Sequence, residues 1–148
     1  MIKLGITGGI ASGKSTAAEY LKSKESTFVF NADRESKKHL KSSSSLQKRL
    51  INVFGTSIMS NKKIQLDILA KIAFSNETNH KILNGIMWPE ISVLIDQAYQ
   101  DAKIKKYKLF IVDAALIIEA NFCPFFDKVL LISTNKPNRI ERAVNRRN

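Results

Sequence analysis

The sequence predicts an α/β protein, a parallel sheet covered by helices on both faces and interrupted by an all-helical insertion. Three observations carry that expectation. An apolar run over residues 2–6 enters Gly8-Gly9-Ile10-Ala11-Ser12-Gly13-Lys14-Ser15 and leaves into Thr16-Ala17-Ala18-Glu19-Tyr20-Leu21, which reads strand, glycine loop, helix. Residues 109–113 and 129–134 are continuously apolar, the pattern of parallel strands buried on both sides. The polar residues suited to chemistry, Ser12 to Ser15, Asp33, Asp113 and Thr134, all fall at the carboxyl ends of strands, where ligands bind in such sheets.

The first element turns on its glycines. Gly, four residues, then Gly-Lys-Ser is the phosphate-binding loop, in which successive backbone N–H groups and a helix start face a polyphosphate. Glycine at 8, 9 and 13 lets the backbone approach phosphate oxygens with no Cβ in the way. Lys14 supplies a mobile charge, and Ser15 offers a hydroxyl to Mg²⁺, which takes hard oxygen ligands. Gly9, Ile10, Ala11, Ser12, Gly13, Lys14, Ser15 and Thr16 are therefore the expected ATP-binding residues. The fold this implies is the three-layer P-loop arrangement.

The following elements are read from periodicity. Residues 14–24 carry Ala17, Ala18 and Leu21 at helical spacing. Thr27-Phe28-Val29-Phe30 is short, β-branched and aromatic, a second buried strand that ends in Asn31-Ala32-Asp33. Residues 34–41 are polar and basic and run into four serines, 42–45, expected as a solvated loop or helix start. Residues 46–106 read as helical throughout, with apolar stripes at Ile64, Ile68, Leu69 and Ile72 and at Leu83, Ile86, Ile91, Leu94 and Ile95. Such stripes are core before they are ligand grooves. Pro89 predicts a kink or a new helix at Trp88-Pro89.

Composition bounds the partners. A chain of 148 residues with 44% apolar content can bury a core as one domain. With 24 Lys and Arg against 13 Asp and Glu, the formal charge is +11, which favours an anionic partner: a nucleic acid, a membrane surface or a phosphorylated small molecule. One cysteine, Cys123, allows no internal disulfide and reads as structural. No run approaches membrane-spanning length and the N-terminus enters the glycine loop too early for a signal peptide, so the expected place is the cytoplasm.

Three further features bear on chemistry, each with a plain alternative. Asp33, one strand from the loop, can orient and deprotonate an acceptor hydroxyl, or it caps the helix starting near Arg34. Asp113, closing a strand, can hold Mg²⁺ directly or through water, or it is a turn residue. Arg139, Arg142 and Arg146 recur on one face of a helix after Pro137, either as a phosphate clamp or as a solvated basic face.

At these residues the chain resembles the dephospho-CoA kinase family. Leu4-Gly5-Ile6-Thr7-Gly8-Gly9-Ile10-Ala11-Ser12-Gly13-Lys14-Ser15-Thr16 is similar to that family's loop nearly letter for letter, including a Thr-Gly-Gly-Ile lead-in that most other nucleotide kinases lack. Asn31-Ala32-Asp33 is similar to its Asp-Ala-Asp, and Asp113-Ala114-Ala115-Leu116-Ile117-Ile118-Glu119 to its Asp-Ile-Pro-Leu-Leu-Phe-Glu. Phe54-Gly55, the helix over 69–74, and Leu83 through Ile86 to Pro89 follow its substrate-domain pattern, and Arg142 and Arg146 fall on the arginines of its lid helix. The resemblance runs from residue 1 to the end of the chain. Departures are Asn31 for Asp, Leu66 for Arg, Trp88 for His, Ala115 for Pro, and Arg139 for the Gln that opens the lid motif.

The resemblance implies transfer of a phosphoryl group from ATP to the ribose 3′-hydroxyl of dephospho-CoA, giving CoA and ADP. It implies Lys14, Asp33, Arg142 and Arg146 as catalytic residues, with Arg139 as an extra over the γ-phosphate, and Ser15 and Asp113 as Mg²⁺ ligands. It implies a strand order 2-3-1-4, residues 1–34 and 107–134 as the nucleotide-binding core, 35–106 as a CoA-binding insertion and 135–148 as the start of a lid helix. The family continues through a fifth strand, which the sequence lacks, so a C-terminally truncated chain is expected. Loss of the Arg and His strips polar groups from the acceptor region. Two alternatives follow: a kinase of another small metabolite, and a non-catalytic nucleotide- or nucleic-acid-binding protein. The expected partners are the two small-molecule substrates, with nucleic acid less favoured and no membrane.

Overall fold

A computed structural model of the chain describes residues 1–24 and 26–145. In chain order the elements are β1 (Ile2–Thr7), α1 (Lys14–Lys22), β2 (Thr27–Asn31), α2 (Ala32–Ser42), α3 (Ser44–Phe54), β3 (Met59–Ser60), β4 (Lys63–Ile64), α4 (Leu66–Ala73), α5 (Glu77–Ile104), β5 (Leu109–Asp113), β6 (Lys128–Leu131) and α6 (Lys136–Asn145). The chain divides into two compact units, Met1–Asp33 with the chain from Ile95 onward, and Arg34–Leu94.

The first unit holds a parallel sheet in the order β2-β5-β1-β6. With the short pair β3 and β4 set aside, this is the expected 2-3-1-4. Register decides the site: Ile6 and Asn31 both lie beside Asp113, so the carboxyl ends of three strands finish level with one another. Side chains alternate across the sheet. Ile6 and Ile111 meet Ala18 of α1 on one face, where the small residue lets the helix lie close. On the other, Phe110 stacks on Phe28 at 5.7 Å and meets Tyr99 of α5 edge-on at 5.5 Å. Phe110 is fully buried, worth about 2–3 kcal/mol in transfer free energy. The strand β6 departs from the expectation of burial on both faces. All four of its residues are exposed, and among the described residues it pairs only with β1.

The second unit meets one expectation and corrects two. The serine run is a helix start, one of the two expected readings: Ser42 ends α2, and Ser43, extended at φ −87°, caps α3 by accepting from the Leu46 N–H at 3.3 Å. The insertion is not all-helical, because β3 and β4 form a small antiparallel hairpin. Pro89 starts no new helix, since α5 runs through it. Proline removes the N–H that the Gly85 carbonyl would accept, and both residues are exposed.

The second unit packs Leu46, Leu50, Ile58, Leu69, Ala73 and Ile91 as its core. Glu90 of α5 adds a polar clamp. One carboxylate oxygen meets His39 Nε2 of α2 at 2.9 Å, and the other accepts from Arg49 Nη1 of α3 at 2.7 Å.

Candidate active site

The loop between β1 and α1 is shaped by its backbone angles. Gly8 has φ 148°, and a Cβ there would run into the Ile132 carbonyl that follows β6. Ala11 is held at φ 59°, a left-handed angle that costs a non-glycine residue about 1–2 kcal/mol. Gly13 at φ 109° leads into α1 with no side-chain cap. The first-turn amides of Lys14, Ser15 and Thr16 therefore have no intrahelical acceptor and present a helix N-terminus to the loop. The Ser12 hydroxyl is 5% exposed and has no hydrogen-bond partner among the described residues. An orphaned buried hydroxyl costs about 1–3 kcal/mol, which an incoming acceptor such as a phosphate oxygen would offset.

The charged groups converge on this loop. Lys14 Nζ donates to the Gly8 carbonyl at 2.7 Å and the Gly9 carbonyl at 3.1 Å. Arg139 Nε donates to the Ile10 carbonyl at 3.1 Å, and Arg142 Nη1 to the Ser12 carbonyl at 3.4 Å. Arg146 lies outside the described residues. Asp113 closes β5, 4% exposed. Its Oδ2 accepts from the Ser15 hydroxyl at 3.1 Å and from the Asn31 amide at 3.1 Å. Burial pushes its carboxyl above the ordinary range, Asp33 adds to the rise, and Ser15, Lys14 and Asn31 oppose it. Asp33 sits exposed inside the first turn of α2, which begins at Ala32, so it is not the residue that caps the helix. Beside the loop, Ser12, Gly13, Thr16, Tyr20, Ile132 and Arg142 line an open cavity of about 620 Å³.

The sequence profile of the dephospho-CoA kinases matches residues 2–148. The chain belongs to the dephospho-CoA kinase family. Curated members include a dephospho-CoA kinase of Fusobacterium nucleatum, 34% identical over 97% of this chain and 72% of its own, and one of Chlamydia abortus, 30% identical over 100% and 73%. The structure of TT1252 from Thermus thermophilus superposes with a TM-score of 0.80 at 25% identity, covering 98% of this chain and 72% of that one. The dephospho-CoA kinase of Campylobacter jejuni shares the fold, with a TM-score of 0.57 at 19% identity, covering 97% and 94%.

A dephospho-CoA kinase uses ATP, and the loop geometry suits its phosphates. No helix among the described residues is long and apolar enough to cross a membrane. A divalent cation fits the donors present: the Ser15 hydroxyl and Asp113 carboxylate are hard oxygens 3.1 Å apart beside the loop. Two members of the site escape the sequence pattern. Asn31, which in sequence reads as a lost carboxylate, holds Asp113, and only its place at a strand end signals this. Arg139, an extra in sequence, lies nearer its loop carbonyl than Arg142 does.

Proposed function

We propose that this chain transfers the γ-phosphoryl group of ATP to the ribose 3′-hydroxyl of dephospho-CoA in the cytoplasm, giving CoA and ADP. The observation that carries the reading is the meeting of Ser15 and Asp113 at 3.1 Å beside Lys14 at the end of the phosphate loop. Amides of Gly9, Ile10, Ala11, Ser12, Gly13, Lys14, Ser15 and Thr16 take the phosphates, and Lys14 exchanges its loop carbonyls for phosphate oxygens. Ser15 and Asp113 would hold Mg²⁺, which would supply positive charge to neutralise the phosphates. Tyr20 and Ile132 offer the adenine apolar surface in the adjoining cavity.

Asp33 takes the proton of the acceptor hydroxyl as its oxygen attacks the γ-phosphorus. The bond from that phosphorus to the β–γ bridging oxygen breaks, and ADP leaves with the electron pair. Arg142 and Arg146 stabilise the charge that spreads over the transferring group. Residues 1–34 and 107–134 form the nucleotide part, 35–106 receive the CoA-like acceptor, and 135–148 begin the lid.

Release of ADP from ATP should require both dephospho-CoA and Mg²⁺. Lys14→Ala should abolish it, and Asp33→Asn should lower kcat by about 10²–10⁴-fold. Turnover of a different hydroxylated acceptor with none of dephospho-CoA would sink the acceptor assignment. Full activity in the Asp33→Asn variant would sink the base.

A further inference from the structure

Arg139 stands where the resembling family has Gln, yet of the two described clamp arginines it makes the firmer contact. Its helix is set in phase at once after the sheet. Asn135 Oδ1 accepts from the Asn138 N–H at 3.0 Å, and the Arg139 N–H donates to the Asn135 carbonyl at 3.2 Å. Residues one turn and two turns in, Arg139 and Arg142, therefore share the face that meets the loop. Arg139 is half-buried, while Arg142 is exposed.

Its guanidinium lies directly on Gly9. A Cβ built on Gly9 would stand 2.6 Å from Arg139 Nη2 and 2.8 Å from Cζ, while Nε donates to the Ile10 carbonyl. Lys14 Nζ reaches the carbonyl of the same Gly9. The crest of the loop is thus held between two cations, and their acceptors there are neutral peptide carbonyls. No carboxylate forms an ion pair with Lys14, Arg139 or Arg142 among the described residues. A phosphate oxygen is a stronger acceptor than a carbonyl, and a guanidinium fork matches two of them at once. The two arginines also divide the loop: Arg142 meets Ser12 near the helix end, whereas Arg139 meets the crest at Gly9 and Ile10.

We propose that Arg139 is a further phosphate-binding arginine of this kinase beside Arg142 and Arg146, engaging the terminal phosphate of ATP at the loop crest. This rests on the reading that the loop holds the phosphates. It makes Arg139 a determinant of ATP over ADP, and Gly9 the residue whose missing side chain leaves the guanidinium its place.

Calorimetric binding of ATP, ADP and adenosine to Arg139→Gln, Arg139→Lys, Lys14→Ala and the parent chain tests it. Arg139→Gln should weaken ATP about tenfold and ADP less than about threefold, leave adenosine unchanged, and raise KM for ATP but not for dephospho-CoA. Arg139→Lys, which keeps charge without the fork, should recover part of the loss. Equal weakening of ATP and ADP, or none, overturns the proposal. So does a fall in the melting temperature of nucleotide-free Arg139→Gln with unchanged ATP preference, since that marks a structural contact. Unchanged ATP binding in Lys14→Ala would instead overturn the loop reading itself.

Discussion

The Ser15 hydroxyl donates to a carboxylate, Asp113 Oδ2, that also takes the Asn31 amide, so a single buried oxygen ties the start of α1 to the ends of two strands. Stability and activity pull apart at that oxygen. Burial raises the Asp113 pKa, so between its ordinary and its raised value the folded chain binds more protons than the unfolded one. Stability then falls as pH rises through that window, and above it the cost is fully present. Asp113→Asn removes the cost. Its melting temperature at pH 7 should equal or exceed that of the parent, with the advantage shrinking as pH drops through the window, while turnover falls on the order of 100-fold. Thermal melts across pH beside a turnover assay check both halves.

Asn31→Asp would set a second carboxylate against Asp113, where the registered strands bring their side chains together. Like charge raises the Asp113 pKa further. The ascending limb of the kcat–pH profile should move to higher pH relative to the parent. An unmoved limb would mean that ionisation of Asp113 does not govern turnover.

Neighbouring glycines should fail differently. At Gly8, φ 148° and the Ile132 carbonyl leave no room for a Cβ, and the obstacle is backbone. Gly8→Ala should cost several kcal/mol, about 3 or more, and lower the melting temperature steeply. At Gly9 the obstacle is the far end of Arg139, which can swing aside. Gly9→Ala should melt within a few degrees of the parent and express its defect in ATP affinity.

The hairpin turn offers a gain. Asn61 and Lys62 have φ 49° and 61°, the pattern of a two-residue I′ turn, in which asparagine is at home and lysine is not. Lys62→Gly should stabilise the chain by about 1 kcal/mol, or about 2–4 °C in melting temperature.

That same turn explains part of what the sequence hid. Each strand of the hairpin has two residues, too few to impose a period of two against the helical stripes around it, and the turn lacks the glycine that would announce it. The serine run likewise hid a cap, because Ser43 differs from its neighbours only by its backbone angle. Pro89 starts no new helix because an exposed face tolerates a missing bond that a buried one would not. Glycine loop, apolar strands and strand-end carboxylates were legible because their chemistry is local: phosphate approach dictates the glycines, and a parallel sheet dictates the apolar runs. Arg139 was legible as a charge but not as a contact, since nothing along the chain tells which of three arginines meets Gly9.

The Glu90 clamp makes α2 and α3 dependants of one carboxylate. Substitutions at His39 and Arg49 should therefore not be additive, because loss of either changes what the other gains from Glu90. Loss of Glu90 would take from both helices the one acceptor that His39 and Arg49 share, in a protein whose formal charge is already +11.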